Sequence, residues 1–213
     1  GNKTALQELG SLLFEAGRFQ EAMDHFERSG SRVKTERCRR FLKLEADLPA
    51  YRNGTMLPAV VDLLDLADLY RIKDLPVTAE RFFSEAIAQK VLKPDGTDPG
   101  PLHKAVQVSA RAGCGQGDDA GDLGEADRAA LRAKALDWLR AELNEMMKQL
   151  PANQGATLSE VRKTLTRWQR ERALAGVRDE DGLAKLPEGE RQRWQSFWAE
   201  VEALRALAAV KTP

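Results

Sequence analysis

Apolar residues along this chain return at three- and four-residue intervals, not at every second position, which is the period of an amphipathic helix. Leu6, Leu9, Leu12 and Leu13 share one side of a predicted helix over 3–16 that stops at Gly17. Phe19, Ala22, Met23 and Phe26 form the next stripe, over 19–29, closed by Gly30. A third helix is predicted over 32–46, with Val33, Cys38, Phe41, Leu42 and Leu44 facing inward. The stretch "LPAYRNGTMLP" then breaks the pattern with two prolines and an Asn-Gly pair. A second hairpin follows, with Val60, Leu63, Leu64, Ala67 and Tyr70 on 58–72 and Ala79, Phe82, Phe83, Ala86 and Ile87 on 76–91. "KPDGTDPGP" reads as an open linker, because its prolines and glycines do not sustain a helix. Helix is predicted again over 101–112, over 125–149, and from a Thr157–Glu160 capping pair through 172. A loop is expected to Leu186, after which Pro187 suits the first turn of a last helix ending near 209. The pattern holds no convincing strand, and the expected fold class is all-α.

The two N-terminal hairpins repeat one another. Aligning "LQELGSLLFEAGRFQEAMDHFERS" with "LLDLADLYRIKDLPVTAERFFSEA" places Leu6, Leu9, Gly10, Leu13, Ala22, Phe26 and Ser29 on Leu63, Leu66, Ala67, Tyr70, Ala79, Phe83 and Ala86. Small residues at Gly10, Ala22, Ala67 and Ala79 let the two helices of each hairpin approach closely, while Leu13, Phe26, Tyr70 and Phe83 fill space between hairpins. This pattern resembles the tetratricopeptide repeat (TPR), with repeats near 3–36 and 60–93 and a degenerate third hairpin over 101–149. Asp74 stands where the family's turn glycine is usual, and Lys34 where its closing proline is usual.

The resemblance implies an α–α superhelix of TPR-like hairpins over 1–149, with 150–213 as a helical C-terminal extension packing on the solenoid. It also implies a concave face that takes a protein or peptide partner. Carried onto this sequence, the lining residues are Gln7, Ser11 and Phe14, then Leu64, Asp68 and Arg71. Phe14 and Leu64 favour an apolar or mixed peptide. Chaperone-binding members of the family clamp a terminal carboxylate with lysine and asparagine, and Gln7 and Ser11 stand in their place here.

A narrower likeness covers most of 37–209. "LLDLADLY…AERFFSEAIA", "AGCGQGDDAGDLGEADRAALRAKALDWLRAEL" and "LAGVRDEDGLAKLPEGERQRWQSFWAEVEAL" resemble the C-terminal region of planctomycete-type bacterial serine/threonine protein kinases. In that family the catalytic domain lies far upstream of this tail, so the resemblance implies fusion to an upstream kinase domain. Gly1-Asn2 reads as a cleavage scar, in keeping with a natural chain that continues upstream. The Gly-rich, His-Arg-Asp and Asp-Phe-Gly loops of a kinase are missing from these 213 residues, so no enzyme activity is expected.

Composition narrows the partner. Thirty-three basic and thirty-three acidic residues cancel, so no global field draws the chain to nucleic acid or anionic lipid. The apolar runs are cut by aspartates and too short to span a bilayer, and no apolar leader opens the sequence. Cys38 and Cys114 read as reduced thiols, and the expected location is cytoplasmic. Two arginine-rich helices, 32–43 and 160–172, the second built around Trp168, supply the alternative of nucleic-acid binding.

The glycine- and acid-rich stretch 112–128 is the remaining chemical candidate. Gly115, Gly117 and Ala120 fit a loose dinucleotide fingerprint, but a helix precedes them where that fingerprint needs a strand. Read as a calcium loop from Asp118 or Asp119, its closing position falls on Ala129 or Ala130, neither of which can ligate. The stretch is therefore expected to be a helix–helix connector, with Asp122, Glu125 and Asp127 complementing the dipole of the following helix. No metal, cofactor or catalytic residue is expected. His25 and His103 lie far apart and suggest no triad.

Overall fold

A computed structural model describes residues 2–91, 100–149 and 156–210, apart from the side chains of 149, 156, 157, 209 and 210. The described residues are helical, with no strand among them. Twelve α-helices follow in order: α1 Lys3–Glu15, α2 Phe19–Ser29, α3 Arg32–Glu45, α4 Leu48–Arg52, α5 Leu63–Ile72, α6 Pro76–Ala88, α7 Pro101–Gly113, α8 Glu125–Gln149, α9 Ala156–Arg170, α10 Ala175–Arg178, α11 Glu180–Leu183 and α12 Glu188–Val210. The chain forms two compact units, 1–104 and 105–213, whose division falls inside α7. The domain boundary expected at 149/150 falls at residues 150–155, outside those described.

In the first unit the two aligned hairpins are built alike, bond for bond. Both turns have three residues, 16–18 and 73–75, and the same hydrogen bonds close them. Gly17 N–H donates to Phe14 C=O and Asp74 N–H to Arg71 C=O, while Arg18 N–H donates to Leu13 C=O and Leu75 N–H to Tyr70 C=O. The central turn residue is left-handed in each, with φ of 74° at Gly17 and 59° at Asp74. Aspartate holds this conformation at less cost than most residues because its short polar side chain can bond locally. At the far end of each hairpin Gly30 has φ 77° and Lys90 φ 56°. The two non-glycine residues with positive φ thus occupy the helix C-termini where the first hairpin has glycine.

Packing follows the alignment except at the start of α1, where Leu6 is half-buried while its counterpart Leu63 is fully buried, and Leu9 differs further. Gly10, Ala22, Ala67 and Ala79 lie between close helices, and Leu13, Phe26, Tyr70 and Phe83 are buried. A Cβ on Gly10 would stand 2.7 Å from the Phe26 ring, so only glycine fits there without repacking. Leu66 is fully buried, but its counterpart Leu9 is 44% exposed. Burying each large side chain fully contributes roughly 1.5–3 kcal/mol over leaving it exposed.

The breaker "LPAYRNGTMLP" includes the short α4, whose Pro49 sits in the first turn, where its missing N–H costs nothing. Helix α5 starts at Leu63, later than the expected 58, since a 3-10 turn over Val60–Asp62 precedes it. Leu57 and Val61 in this connection are largely exposed.

The second unit is organised around tryptophan. Trp168, Trp194, Phe197 and Val201 are buried with Val106 and Ala110 of α7, Leu139 and Leu143 of α8, and Val177 of α10. Trp198 is partly buried, and its indole N–H donates to Val177 C=O at 2.8 Å. The expected loop up to Leu186 contains a 3-10 turn and the short helices α10 and α11. Glycine makes that compaction feasible: a Cβ on Gly182 would stand 2.5 Å from the backbone oxygen of Gly176. Helix α9 begins at Ala156, so the expected capping residue Thr157 lies within it, and its side chain is outside those described. No helix among the described residues is long and apolar enough to cross a membrane.

Candidate functional site

The six residues assigned to a binding face, all in the first unit, sit in very different surroundings. Ser11 donates to Gln7 C=O, as expected one helical turn apart, and its hydroxyl accepts from Lys34 Nζ of α3 at 3.1 Å. Phe14 is 5% exposed: its ring packs 5.1 Å from Phe19 and 4.8 Å from Phe41, centroid to centroid. The Arg37 guanidinium lies over the Phe14 ring, 4.9 Å from its centre. Leu64 is half-buried at the edge of a cleft, and Arg71 is half-buried beside Asp68.

Asp68 is the centre of this arrangement and is only 2% exposed. Its Oδ2 accepts from Arg37 Nη2 at 2.6 Å and from Lys104 Nζ at 2.9 Å, and its Oδ1 accepts from Arg71 Nε at 2.6 Å. One carboxylate therefore ties α3, α5 and the first turn of α7 within the first unit. Burial pushes the Asp68 carboxyl up, but Arg71, Lys104 and Arg37 together outweigh it and hold it below its ordinary range. Arg71 also bonds Glu15 of α1 at 2.7 Å, and Arg40 bonds Asp65 at 2.8 Å. These contacts run unbroken from α1 through α3 and α5 to α7.

Beside Asp68 opens a shallow cleft, half open to solvent, lined by Arg37, Leu64, Asp65, Asp68, Phe83, Pro101 and Lys104. Leu64, Phe83 and Pro101 supply its apolar part. Sequence reasoning missed Arg37 and Lys104 as members of this face. Arg37 stood only among six basic residues of α3, and nothing in the sequence near Lys104 linked it to an aspartate 36 positions away.

Several side chains of the two arginine-rich helices have partners within the chain. On α3, Arg37 and Arg40 bond Asp68 and Asp65, and Arg39 bonds Glu27 at 2.7 Å. On α9, Trp168 has no exposed surface, so its ring is not available to stack on a base. Lys163 pairs with Glu160 on the surface, and burial pulls the Arg167 guanidinium down.

The stretch 112–128 joins α7 to α8, as its composition suggested. Gly115 and Gly117 have φ of 70° and 107°, and arginines of α8 hold the loop by its carbonyls. Arg128 donates to Gly121 C=O at 3.0 Å, and Arg132 donates to Gly113 C=O at 2.6 Å. Arg132, 2% exposed, also makes a two-pronged pair with Glu190 of α12 at 2.6 and 2.8 Å and bonds Glu125 at 2.6 Å. The hydrogen bond to Glu190 is the main cause that raises the Arg132 guanidinium further above its ordinary value, against the opposing effect of burial.

Among the described residues, no group of three or more His, Cys, Asp or Glu side chains is placed to hold a metal ion. Burial pushes the Cys38 thiol up to about 11 and raises that of Cys114 as well, which disfavours the reactive thiolate at neutral pH. No protein-family model matches the chain, and neither a curated protein nor a solved structure matches it.

Proposed function

We propose that this chain is a non-catalytic protein-interaction module, a TPR-like scaffold that receives a peptide or protein segment at the cleft formed by α3, α5, α6 and the start of α7. The carrying observation is the cleft at Leu64 and Asp68, where apolar walls meet two cations held in place by a buried carboxylate. Binding sites for peptides combine such apolar surface with a few fixed polar groups. The bond-for-bond likeness of the two hairpins supports the repeat reading, since a unit that recurs can stack on itself to make an extended face.

The resemblance of 37–209 to kinase C-terminal regions supports, as a further part of this proposal, a place for the module at the C-terminal end of a bacterial signalling kinase in the cytoplasm. Sequencing the reading frame upstream of Asn2 tests that assignment. A kinase domain there supports it, and a start codon directly before Asn2 overturns it.

The binding role is tested by selecting a displayed library of random peptides on the full chain. Enriched peptides should lose at least ten-fold in affinity for Leu64→Arg, which places a bulky charge at the cleft, and keep it for Arg193→Ala on exposed α12 surface. A library with no enrichment, or peptides indifferent to Leu64→Arg, would overturn the proposal.

A further inference from the structure

We propose that the cleft beside Asp68 is an anion subsite that takes an acidic side chain of the bound peptide, with an apolar neighbour of that side chain lying on Leu64, Phe83 and Pro101. This rests on the peptide-binding reading above and names what the peptide must carry.

The donors decide the sign of the ligand. A guanidinium offers five N–H groups and an ammonium three. Asp68 takes one from each of Arg37, Lys104 and Arg71. Asp65 forms a long ion pair with Arg37, 3.9 Å from its Nε and too far for a hydrogen bond, and gives its second oxygen to Arg40. Arg37 and Lys104 therefore keep N–H groups that no described carboxylate consumes, and both line the cleft.

Charge points the same way. Asp68 turns both of its oxygens into three cations, so an arriving anion meets a carboxylate whose charge is already compensated. The cleft itself is lined by two cations, Arg37 and Lys104, and two carboxylates, Asp65 and Asp68. Over the wider network Arg37, Arg40, Arg71 and Lys104 outnumber Asp65, Asp68 and Glu15, and Lys34 adds a further cation one turn from Arg37 on α3. The surplus is local, because basic and acidic residues balance over the whole chain at 33 each. The Lys104 side chain is only 7% exposed and that of Arg37 23%, so an anion there would be held in surroundings that screen it less than open water does.

Geometry sets the size. The cleft is shallow and half open, so it receives the tip of a side chain whose apolar neighbour lies against its rim, not a folded domain or a nucleotide stack. A carboxylate or a phosphorylated hydroxyl would meet the same donors, and the two sources are separable by experiment.

The test uses the full chain and the peptides it enriches from the random library. Aspartate or glutamate next to an apolar residue should dominate one position of the enriched set. In calorimetry of the best binder, glutamine in place of that acid should cost at least ten-fold in affinity. The same loss should appear for the Lys104→Met protein, which retains two of the three cations on Asp68, and for Arg37→Gln. Replacing the acid by phosphoserine then identifies the source by which version binds more tightly. Enriched peptides without an acidic position, or equal affinity for the glutamine version, would overturn this inference while leaving the peptide-binding reading intact. Failure to enrich any peptide would overturn both.

Discussion

At the scale of single residues, Asp68 is where the chemistry of the first unit concentrates. Removing its charge leaves Lys104 without its carboxylate, and Arg37 and Arg71 with only the more distant Asp65 and the exposed Glu15, and breaking a buried ionic cluster in this way is costly. Asp68→Asn should destabilise the protein by about 2–3 kcal/mol in denaturant unfolding. Its pH dependence has a definite sign. The folded-state carboxyl lies below the unfolded value of about 3.9, so its stabilisation is fully present above that pH and disappears as pH falls through the folded value. Melting temperatures measured between about pH 5 and 2 should therefore fall more steeply for the native protein than for Asp68→Asn. Lys90 makes a second prediction, of opposite direction. A lysine at φ 56° carries steric strain that glycine does not, so Lys90→Gly should stabilise by about 0.5–1 kcal/mol, seen as a rise in Tm.

Between elements, small residues and arginines set how the helices meet. Gly182 approaches Gly176 so closely that Gly182→Ala should cost about 2–3 kcal/mol, since backbone and not a flexible side chain stands in the way. Arg132 joins α7, α8 and α12 through Gly113, Glu125 and Glu190. Arg132→Met strands Glu190 and should cost about 3 kcal/mol, whereas adding Glu190→Leu should recover much of that loss, because an apolar pair leaves no buried charge. Urea unfolding of the two variants separates these outcomes. The helices themselves were legible: apolar spacing located α1, α2, α3 and α6 closely, and Gly17, Gly30 and Pro187 marked real boundaries. The short helices α4, α10 and α11 were not legible, because four or five residues carry no period. Nor were Arg132–Glu190 and Asp68–Lys104, since ion pairs distant in sequence leave no local pattern.

For the molecule as a whole, the all-helical class follows from the periodicity, and the likeness of the two hairpins extends to individual hydrogen bonds. The cleft of the first unit was legible only in part. Spacing within a repeat pointed to Leu64 and Asp68, which do line the cleft, but it also pointed to Phe14, whose ring lies among Phe19, Phe41 and the Arg37 guanidinium. Repeat spacing gives the side of a helix, whereas α3, which falls between the aligned hairpins, decides what covers that side. The decisive observation for the proposed function is a backbone amide titration by NMR, with the full chain and its tightest selected peptide. Shifts should gather at Arg37, Leu64, Asp68, Phe83 and Lys104. Shifts that instead gather on the exposed Leu57–Val61 connection or on the second unit, with these amides unmoved, would contradict a peptide site at the α3, α5, α6 and α7 cleft.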